Sequence, residues 1–327
     1  MSRIHEALKK AEQERANVQA ATSDAAAFPS EGLPAALPAA ETWLGRDPQI
    51  EAATTLTGAA GFQSDFLRFD DLRTRCAHPT WHLDPNVNVF FNPNLSVHGA
   101  EQFRTLRSRL YQLRANQPLR TLLVTSAVPG EGKTFVTTNL AQAIVRQPDR
   151  RALIIDADLR CARLHLPLGA PTSPGLTDYL RGEADEMAVI QHGQEGNLCF
   201  IAGGNEVTDP SELLSNGRLR KLLERVTPVF DWVILDSPPC VPVADASILA
   251  DICDGVLLVV RAASTPSLVA EKARQELQGK NVVGAVLNAV DEAGMYGSAY
   301  YQAYGYGSYG SYGSGESKTP QAPAAAS

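Results

Sequence analysis

The chain has 327 residues, and 44% of them are hydrophobic, which suits one packed domain with additional segments. Its formal net charge of −7 argues against broad electrostatic attachment to nucleic acid or anionic lipid, so no nucleic-acid partner is expected. The five cysteines are scattered and have neither C-x-x-C nor zinc-ligand spacing, which indicates a reducing cytosol.

The first 84 residues are predicted to lie outside the main domain. Residues 1–15 favour a short helix with one apolar face, which we expect to be a docking segment. Residues 16–84 are expected to be a flexible linker, mostly disordered, because the stretch to about residue 60 is rich in Ala, Thr and Pro and lacks periodicity. No apolar run approaches the roughly 18 residues that span a bilayer, so any membrane attachment is expected to go through a partner.

A helix is predicted between Glu101 and Arg114. Its apolar stripe consists of Phe103, Leu106, Leu110 and Leu113. Glu101, Arg104 and Arg107 occupy an adjoining face. On the helix pattern alone, this face is typical of a solvated surface with an i,i+3 ion pair.

From Leu119 onward, short apolar runs alternate with helical stretches. The strand-like runs are LLVTSA, ALIIDAD, CFIAGG, WVILDSP, GVLLVVRA and VVGAVLN, and SELLSNGRLRKLLERV favours a helix. Because the apolar residues are continuous, these strands are expected to be buried on both faces. The pattern predicts an α/β domain over residues 85–292 with a doubly wound, mostly parallel sheet flanked by helices.

A phosphate-binding loop is predicted at residues 127–134, which have the sequence A-V-P-G-E-G-K-T and lie between a strand and a helix. The two glycines allow backbone N–H groups to turn towards phosphate oxygens, and the helix N-terminus adds its positive end. Lys133 is expected on the β- and γ-phosphates of a nucleotide and Thr134 on Mg²⁺, and ATP and Mg²⁺ are the expected cofactors. The predicted nucleotide-binding residues are Pro129, Gly130, Glu131, Gly132, Lys133, Thr134, Phe135 and Asn288.

Two later strands end in carboxylates. Asp156 and Asp158 follow one strand, and Asp236 ends another before a Ser-Pro-Pro turn. Mg²⁺ needs only one or two carboxylates besides phosphate oxygens, so one of the three acids remains available as a base. The pattern does not decide which one.

The sequence changes again after Asn288. Residues 293–327 are predicted to be a disordered, exposed tail, because Gly, Ser and Tyr dominate much of the segment and it cannot build a core. Seven of the nine tyrosines lie here: Tyr296, Tyr300, Tyr301, Tyr304, Tyr306, Tyr309 and Tyr312. A purely cohesive low-complexity tail is the alternative interpretation.

Together these motifs resemble those of the bacterial tyrosine kinases (BY-kinases), cytoplasmic P-loop autokinases of capsule and exopolysaccharide biosynthesis. The resemblance rests on the phosphate loop, on the D-x-D-x-R run ending at Arg160 and on the L-D-S-P-P run ending at Pro239. It extends from roughly residue 85 to 312, through E-x-x-R-x-x-R at 101–107, D-P-S-E-L-L at 209–214, P-V-A-D-A at 242–246 and the tyrosines. It departs from the family pattern at Cys161 and Ala162, where Arg-Pro is common.

The resemblance implies a protein-tyrosine autokinase that transfers the γ-phosphate of ATP to its own tail tyrosines, in trans within a ring-like homo-oligomer. By resemblance, Asp156 is the base or the residue that orients the tyrosine hydroxyl, Asp158 and Asp236 hold Mg²⁺ directly or through water, and the charged face of the 101–114 helix mediates self-association. It further implies a membrane activator or polysaccharide copolymerase that recruits the cytoplasmic kinase to the inner membrane, and a phosphotyrosine phosphatase.

Two other functions stay open on sequence grounds. A partitioning-type ATPase would hydrolyse ATP without phosphorylating protein, but such proteins usually carry a signature lysine near the start of the loop, and residues 125–128 have none. A nucleotide-binding scaffold of a membrane polysaccharide complex would lack transfer activity, which the intact lysine and acids disfavour. Phosphate transfer to the tail separates the three possibilities.

Overall fold

The computed structural model describes residues 67–92, 96–193 and 196–290. The predicted docking helix at 1–15, most of the predicted linker, and the tail with its seven tyrosines lie outside the described residues. Among the helices that are described, none combines the length and apolar character needed to cross a membrane.

The described part of the chain contains a seven-stranded sheet in the order β3-β4-β2-β5-β1-β6-β7. Neighbouring strands are parallel except for β3 and β4, which are antiparallel. The prediction of a mostly parallel, doubly wound sheet is therefore confirmed. The strands are β1 (Thr121–Ser126), β2 (Ala152–Asp156), β3 (Ile190–His192), β4 (Leu198–Ile201), β5 (Trp232–Asp236), β6 (Gly255–Arg261) and β7 (Val282–Asn288).

Helices lie on both faces of the sheet. They are α1 (Phe69–Arg75), α2 (Ser96–Asn116), α3 (Lys133–Val145), α4 (His165–Leu168), α5 (Leu176–Arg181), α6 (Glu186–Val189), α7 (Pro210–Ser215), α8 (Arg218–Val226), α9 (Asp245–Ala250) and α10 (Ser267–Glu276). The single helix predicted from SELLSNGRLRKLLERV is two helices. Gly217, with φ of 80°, precedes α8 in the left-handed region that glycine favours, and the helix axis breaks there.

Two apolar layers cover the sheet, because successive side chains of a strand point to opposite faces. On β5, Val233 and Leu235 join the layer beneath α1, α5 and α8, whereas Trp232 and Ile234 join the layer beneath α2 and α3. β1, β2 and β5 are buried along their whole length, as predicted. The expectation fails for β7, which lies at the sheet edge and leaves much of its surface exposed.

The predicted start of the domain at residue 85 lies too late in the chain. Residues 67–84, assigned to the flexible linker, pack on the sheet: α1 buries Phe69 and Leu72, and Ala77 pairs with Gln191 of β3. Trp81 is buried against Phe200, with ring centroids 6.1 Å apart. These large side chains are widely spaced and make long-range contacts, so they leave no periodic signal in the sequence.

Residues 77–92, which we call the strap, connect the sheet edge to α3. Asn139, fully buried on α3, accepts a hydrogen bond from the N–H of Val89 (2.9 Å) and donates to the carbonyl of Val87 (2.8 Å). Asn88 is also buried and donates to the carbonyl of Pro167 (2.7 Å). The strap is thus hydrogen-bonded to the helix that begins at the predicted phosphate loop.

Candidate active site

The loop between β1 and α3 has the backbone that the sequence predicts. Gly130 and Gly132 have φ of 83° and 95°, a region that residues with a side chain rarely adopt. A Cβ atom at Gly132 would lie 2.1 Å from Nδ2 of Asn288. Lys133 begins α3, so the first N–H groups of that helix, which have no partner within it, adjoin the loop.

Glu131 holds this loop from the inside. Its side chain is 2% exposed and accepts hydrogen bonds from the N–H of Val128 (2.9 Å), the N–H of Arg261 (3.3 Å) and the hydroxyl of Thr265. Nδ2 of Asn288 donates to the carbonyl of Glu131 (2.8 Å). The side chains of Glu131 and Asn288, predicted to bind nucleotide, therefore contact protein and fix the shape of the loop.

Sequence reasoning missed Arg261 and Thr265. Arg261 also donates from Nη1 to the carbonyl of Gly130 (3.2 Å), so the segment after β6 contacts the loop at several points. The contacts join residues 130 or more positions apart, and the segment carries no motif that could have indicated them.

The predicted metal ligands and acids lie together at the carboxyl ends of the parallel strands. Asp156 and Asp236 are direct neighbours in the register of β2 and β5. The Thr134 hydroxyl donates to Oδ2 of Asp236 (2.6 Å), and Thr137 approaches Oδ1 of the same carboxylate (3.5 Å). Asp158 follows two residues after Asp156 and is the more exposed of the two.

Asp156 and Asp158 also organise the loop that follows β2. Oδ2 of Asp156 accepts a hydrogen bond from the N–H of Leu164 (2.8 Å), and Oδ1 accepts one from the N–H of Asp158 (3.3 Å). Asp158 accepts from the N–H of Cys161 (3.0 Å). The carboxylates therefore fix the course of residues 157–164 as well as supplying charge.

The three acids lie in a buried or half-buried site, and each has a raised pKa. Burial, followed by the charge of Asp236, raises the pKa of Asp156 well above its usual range. Burial raises the pKa of Asp236 to about 7, although the Thr134 hydrogen bond and the Lys133 charge oppose the rise. Burial also raises the pKa of Asp158, against the pull of Lys133. A bound cation would offset the repulsion between these neighbouring carboxylates.

The donor set suits Mg²⁺ shared with phosphate oxygens. Within residues 67–92, 96–193 and 196–290, no group of three or more His, Cys, Asp or Glu residues is arranged to hold a metal ion. Mg²⁺ is characteristically bound by one or two carboxylates together with phosphate and water, and the Thr134 hydroxyl with Asp236 provides such a partial site.

The residues predicted for self-association lie on α2. Glu101 and Arg104 form an exposed i,i+3 ion pair, and the Arg104 guanidinium lies over the Phe90 ring at 5.9 Å. Arg107 has a different environment, because its Nη1 donates to the carbonyl of Ala143 (2.6 Å) near the end of α3. The structure therefore divides the three residues into an exposed pair and an internal contact.

Comparison with known proteins finds tyrosine-protein kinases among the relatives of this chain. No family model matches the chain. It is 35% identical over 211 residues to tyrosine-protein kinase Etk of Escherichia coli K12, covering 64% of this chain and 29% of Etk. It is 32% identical over 206 residues to tyrosine-protein kinase YwqD of Bacillus subtilis, covering 61% of this chain and 86% of YwqD.

A solved structure agrees with these relatives. The kinase domain of the E. coli tyrosine kinase Etk superposes with a TM-score of 0.57 at 36% identity, covering 63% of this chain and 82% of that domain. The chain thus spans less than a third of full-length Etk and most of its kinase domain.

Proposed function

Because this chain belongs to the bacterial tyrosine-protein kinase family, we propose that it is an ATP-dependent protein-tyrosine kinase that phosphorylates tyrosines of its own C-terminal segment. The observation that carries the proposal is the convergence of Thr134, Asp156 and Asp236 beside a phosphate-loop backbone. Phosphoryl transfer depends mainly on positioning and charge, and the residues at the carboxyl ends of these strands would supply both.

ATP and Mg²⁺ are the proposed cofactors. The N–H groups at the start of α3 and the Lys133 ammonium would bind the β- and γ-phosphates, whereas Thr134, Asp158 and Asp236 would hold Mg²⁺, directly or through water. When bound, Mg²⁺ neutralises negative charge on the transferred phosphoryl group. The buried carboxylates, with their raised pKa values, favour a bound cation.

We propose Asp156 as the residue that accepts the tyrosine proton. A tyrosine hydroxyl has a pKa near 10, so at neutral pH it needs a positioned acceptor. Burial and the neighbouring Asp236 raise the pKa of Asp156, so its carboxylate is a stronger proton acceptor than an ordinary surface carboxylate.

The proposal extends to assembly and partners. A ring-like homo-oligomer, with the exposed Glu101–Arg104 pair at its interface, would bring each C-terminal segment near a neighbouring site at high effective concentration. A membrane activator or polysaccharide copolymerase would recruit the cytoplasmic kinase to the inner membrane for exopolysaccharide synthesis and export, and a phosphotyrosine phosphatase would reverse the modification. Each phosphate adds roughly −1.5 to −2 charges, so extensive phosphorylation should loosen the ring.

Intact-mass measurement before and after incubation with Mg-ATP tests this function. The wild-type chain should gain several phosphoryl groups on the C-terminal tyrosines. Lys133→Met should gain none while remaining folded, because Lys133 acts on phosphate charge. Lys221→Met, at an exposed position on α8, is the matched control and should behave as wild type.

The other outcomes are informative. ATP hydrolysis without a mass gain would identify a partitioning-type ATPase, and nucleotide binding without turnover would identify a scaffold. A folded Lys133→Met chain that still gains phosphoryl groups at the wild-type rate would contradict the assignment of the site.

A further inference from the structure

Three side chains that the proposed site does not use, those of Arg160, Ser211 and Asp245, come from separate sequence motifs and meet in one cluster. Nε of Arg160 donates to Oδ2 of Asp245 (2.7 Å), and its Nη2 donates to Oδ1 (3.0 Å). Nη2 also donates to the hydroxyl of Ser211 (3.0 Å), which in turn donates to Oδ1 of Asp245. We call these three residues the Arg160 cluster.

The Arg160 cluster contains an ion pair whose acidic member is buried. The Asp245 side chain is 0% exposed, whereas that of Arg160 is 40% exposed. Burial alone would raise the pKa of Asp245, but the hydrogen bonds from Arg160 and Ser211 lower it below its usual value. Asp245 therefore remains charged, and its two oxygens match the two-pronged geometry of a guanidinium, which a lysine cannot reproduce.

Arg160 lies within the loop that carries Asp158. Arg160 follows Asp158 by two residues, and the next N–H group, that of Cys161, donates to the Asp158 carboxylate (3.0 Å). The far end of the loop is fixed by the Leu164 N–H on Asp156 (2.8 Å). Asp245 thus restrains the middle of a loop whose ends are held by the two acids of the site.

Asp245 also follows Asp236 along the chain, at the start of α9 in the connection after β5. The Arg160–Asp245 pair therefore ties the loop after β2 to the connection after β5. These are the two segments that bring acids to the phosphate loop.

We propose that Asp245 is a positioning residue for phosphoryl transfer, which holds Arg160 and so keeps Asp158 in place to receive Mg²⁺ with the nucleotide. The inference rests on the proposed function, and it assigns Arg160 to loop geometry rather than to phosphate binding. Ser211 completes the cluster from α7.

Conservative variants test the proposal. Arg160→Lys keeps the charge and loses the two-pronged contact, and Asp245→Asn keeps the shape and loses the charge. The matched control is Arg150→Lys, which alters the contact between Arg150 and Asp231 (2.9 Å), a pair that lies at the other end of β2 and β5. Ser211→Ala is a milder third variant in case either charged-residue variant is unstable.

The first measurement is ADP binding by calorimetry with and without Mg²⁺, since it does not depend on kinase activity. Metal-free affinity should stay at the wild-type level. The gain on adding Mg²⁺ should fall about tenfold in Arg160→Lys and Asp245→Asn, and the double variant should be no worse than the worse single, because residues acting as a unit are not additive. Arg150→Lys should keep the full gain.

The second measurement is autophosphorylation kinetics. The variants should lose roughly ten- to a hundredfold in kcat with little change in the KM for ATP, as expected when positioning at the reacting centre is lost. A wild-type gain in ADP affinity from Mg²⁺ in folded variants, or an additive double variant, overturns the proposal. If the wild-type chain transfers no phosphate, the proposed kinase function fails, but the ADP measurement still decides the role of Asp245.

Discussion

At the scale of single residues, the burial of Asp236 has two opposing consequences. Its burial places a carboxylate where a cation would be held, and the same burial raises its pKa from 3.8 to about 7. Between these two values the folded protein binds a proton that the unfolded chain does not. The free energy of unfolding of the nucleotide-free protein should therefore fall as the pH rises from about 4 to about 7.

Asp236→Asn should raise the thermal midpoint of the nucleotide-free protein at pH 8 and leave it nearly unchanged at pH 5. At pH 8 the variant removes a buried charge worth on the order of a few kcal/mol, whereas at pH 5 the wild-type carboxyl is already neutral. Differential scanning calorimetry at the two pH values measures the difference. The exposed Asp70→Asn is the control, and equal midpoint shifts at both pH values would disprove the raised pKa.

The same residues show how far sequence could predict the site. Gly130, Gly132, Lys133 and Thr134 form a contiguous motif, so their backbone and their place at the start of α3 could be predicted. The meeting of Asp156 with Asp236 followed from strand ends in a parallel sheet. The internal contacts of Glu131 could not be predicted, because they join it to β6 and the segment beyond.

At the scale of elements, continuous apolar runs identified six of the seven strands that the structure describes. β3 was missed because its three residues, Ile190–His192, are too short to show a pattern and include Gln and His. α1 and the strap were missed for a related reason, since they are held by isolated large side chains and by hydrogen bonds to α3 and β3. Such contacts are set by tertiary packing, which local propensity does not encode.

The charged face of α2 gives a prediction that separates its members. Arg107→Ala should lower the free energy of unfolding by about 1–3 kcal/mol, because it removes a charged donor from the carbonyl of Ala143 near the C-terminal end of α3. Arg104→Ala removes one partner of an exposed ion pair and should change stability by less than about 1 kcal/mol. Urea denaturation followed by circular dichroism measures both.

For assembly the order should be reversed, with Arg104→Ala having a larger effect than Arg107→Ala. Arg104→Ala and Glu101→Ala should give smaller species in sedimentation velocity and slower phosphorylation of the C-terminal tyrosines, since proximity between subunits would be lost. Unchanged sedimentation and rate in both variants would assign Glu101 and Arg104 to an ordinary solvated face. Arg107→Ala would then affect stability alone.

At the scale of the whole molecule, the end of β7 lies beside the phosphate loop. Asn288, its last residue, donates to the Glu131 carbonyl, so the chain leaves the sheet next to its own nucleotide site. Tyr296 follows eight residues later, and eight residues span at most roughly 26–29 Å. Transfer within one chain and transfer between neighbours are both compatible with this reach.

Mixing two defective chains distinguishes transfer within one chain from transfer between neighbouring subunits. A Lys133→Met chain with intact tyrosines lacks phosphate chemistry, and an active chain truncated after Asp291 lacks the acceptors, so neither should yield C-terminal phosphotyrosine alone. If transfer runs between subunits, the full-length Lys133→Met chain should become phosphorylated in the mixture, because assembly supplies proximity and its partner supplies the site. Mass spectrometry of the full-length chain measures it, and Glu101→Ala with Arg104→Ala in both chains should abolish it. Phosphotyrosine on wild-type chains, but none in mixed assemblies verified by sedimentation, would mean that transfer occurs within one chain.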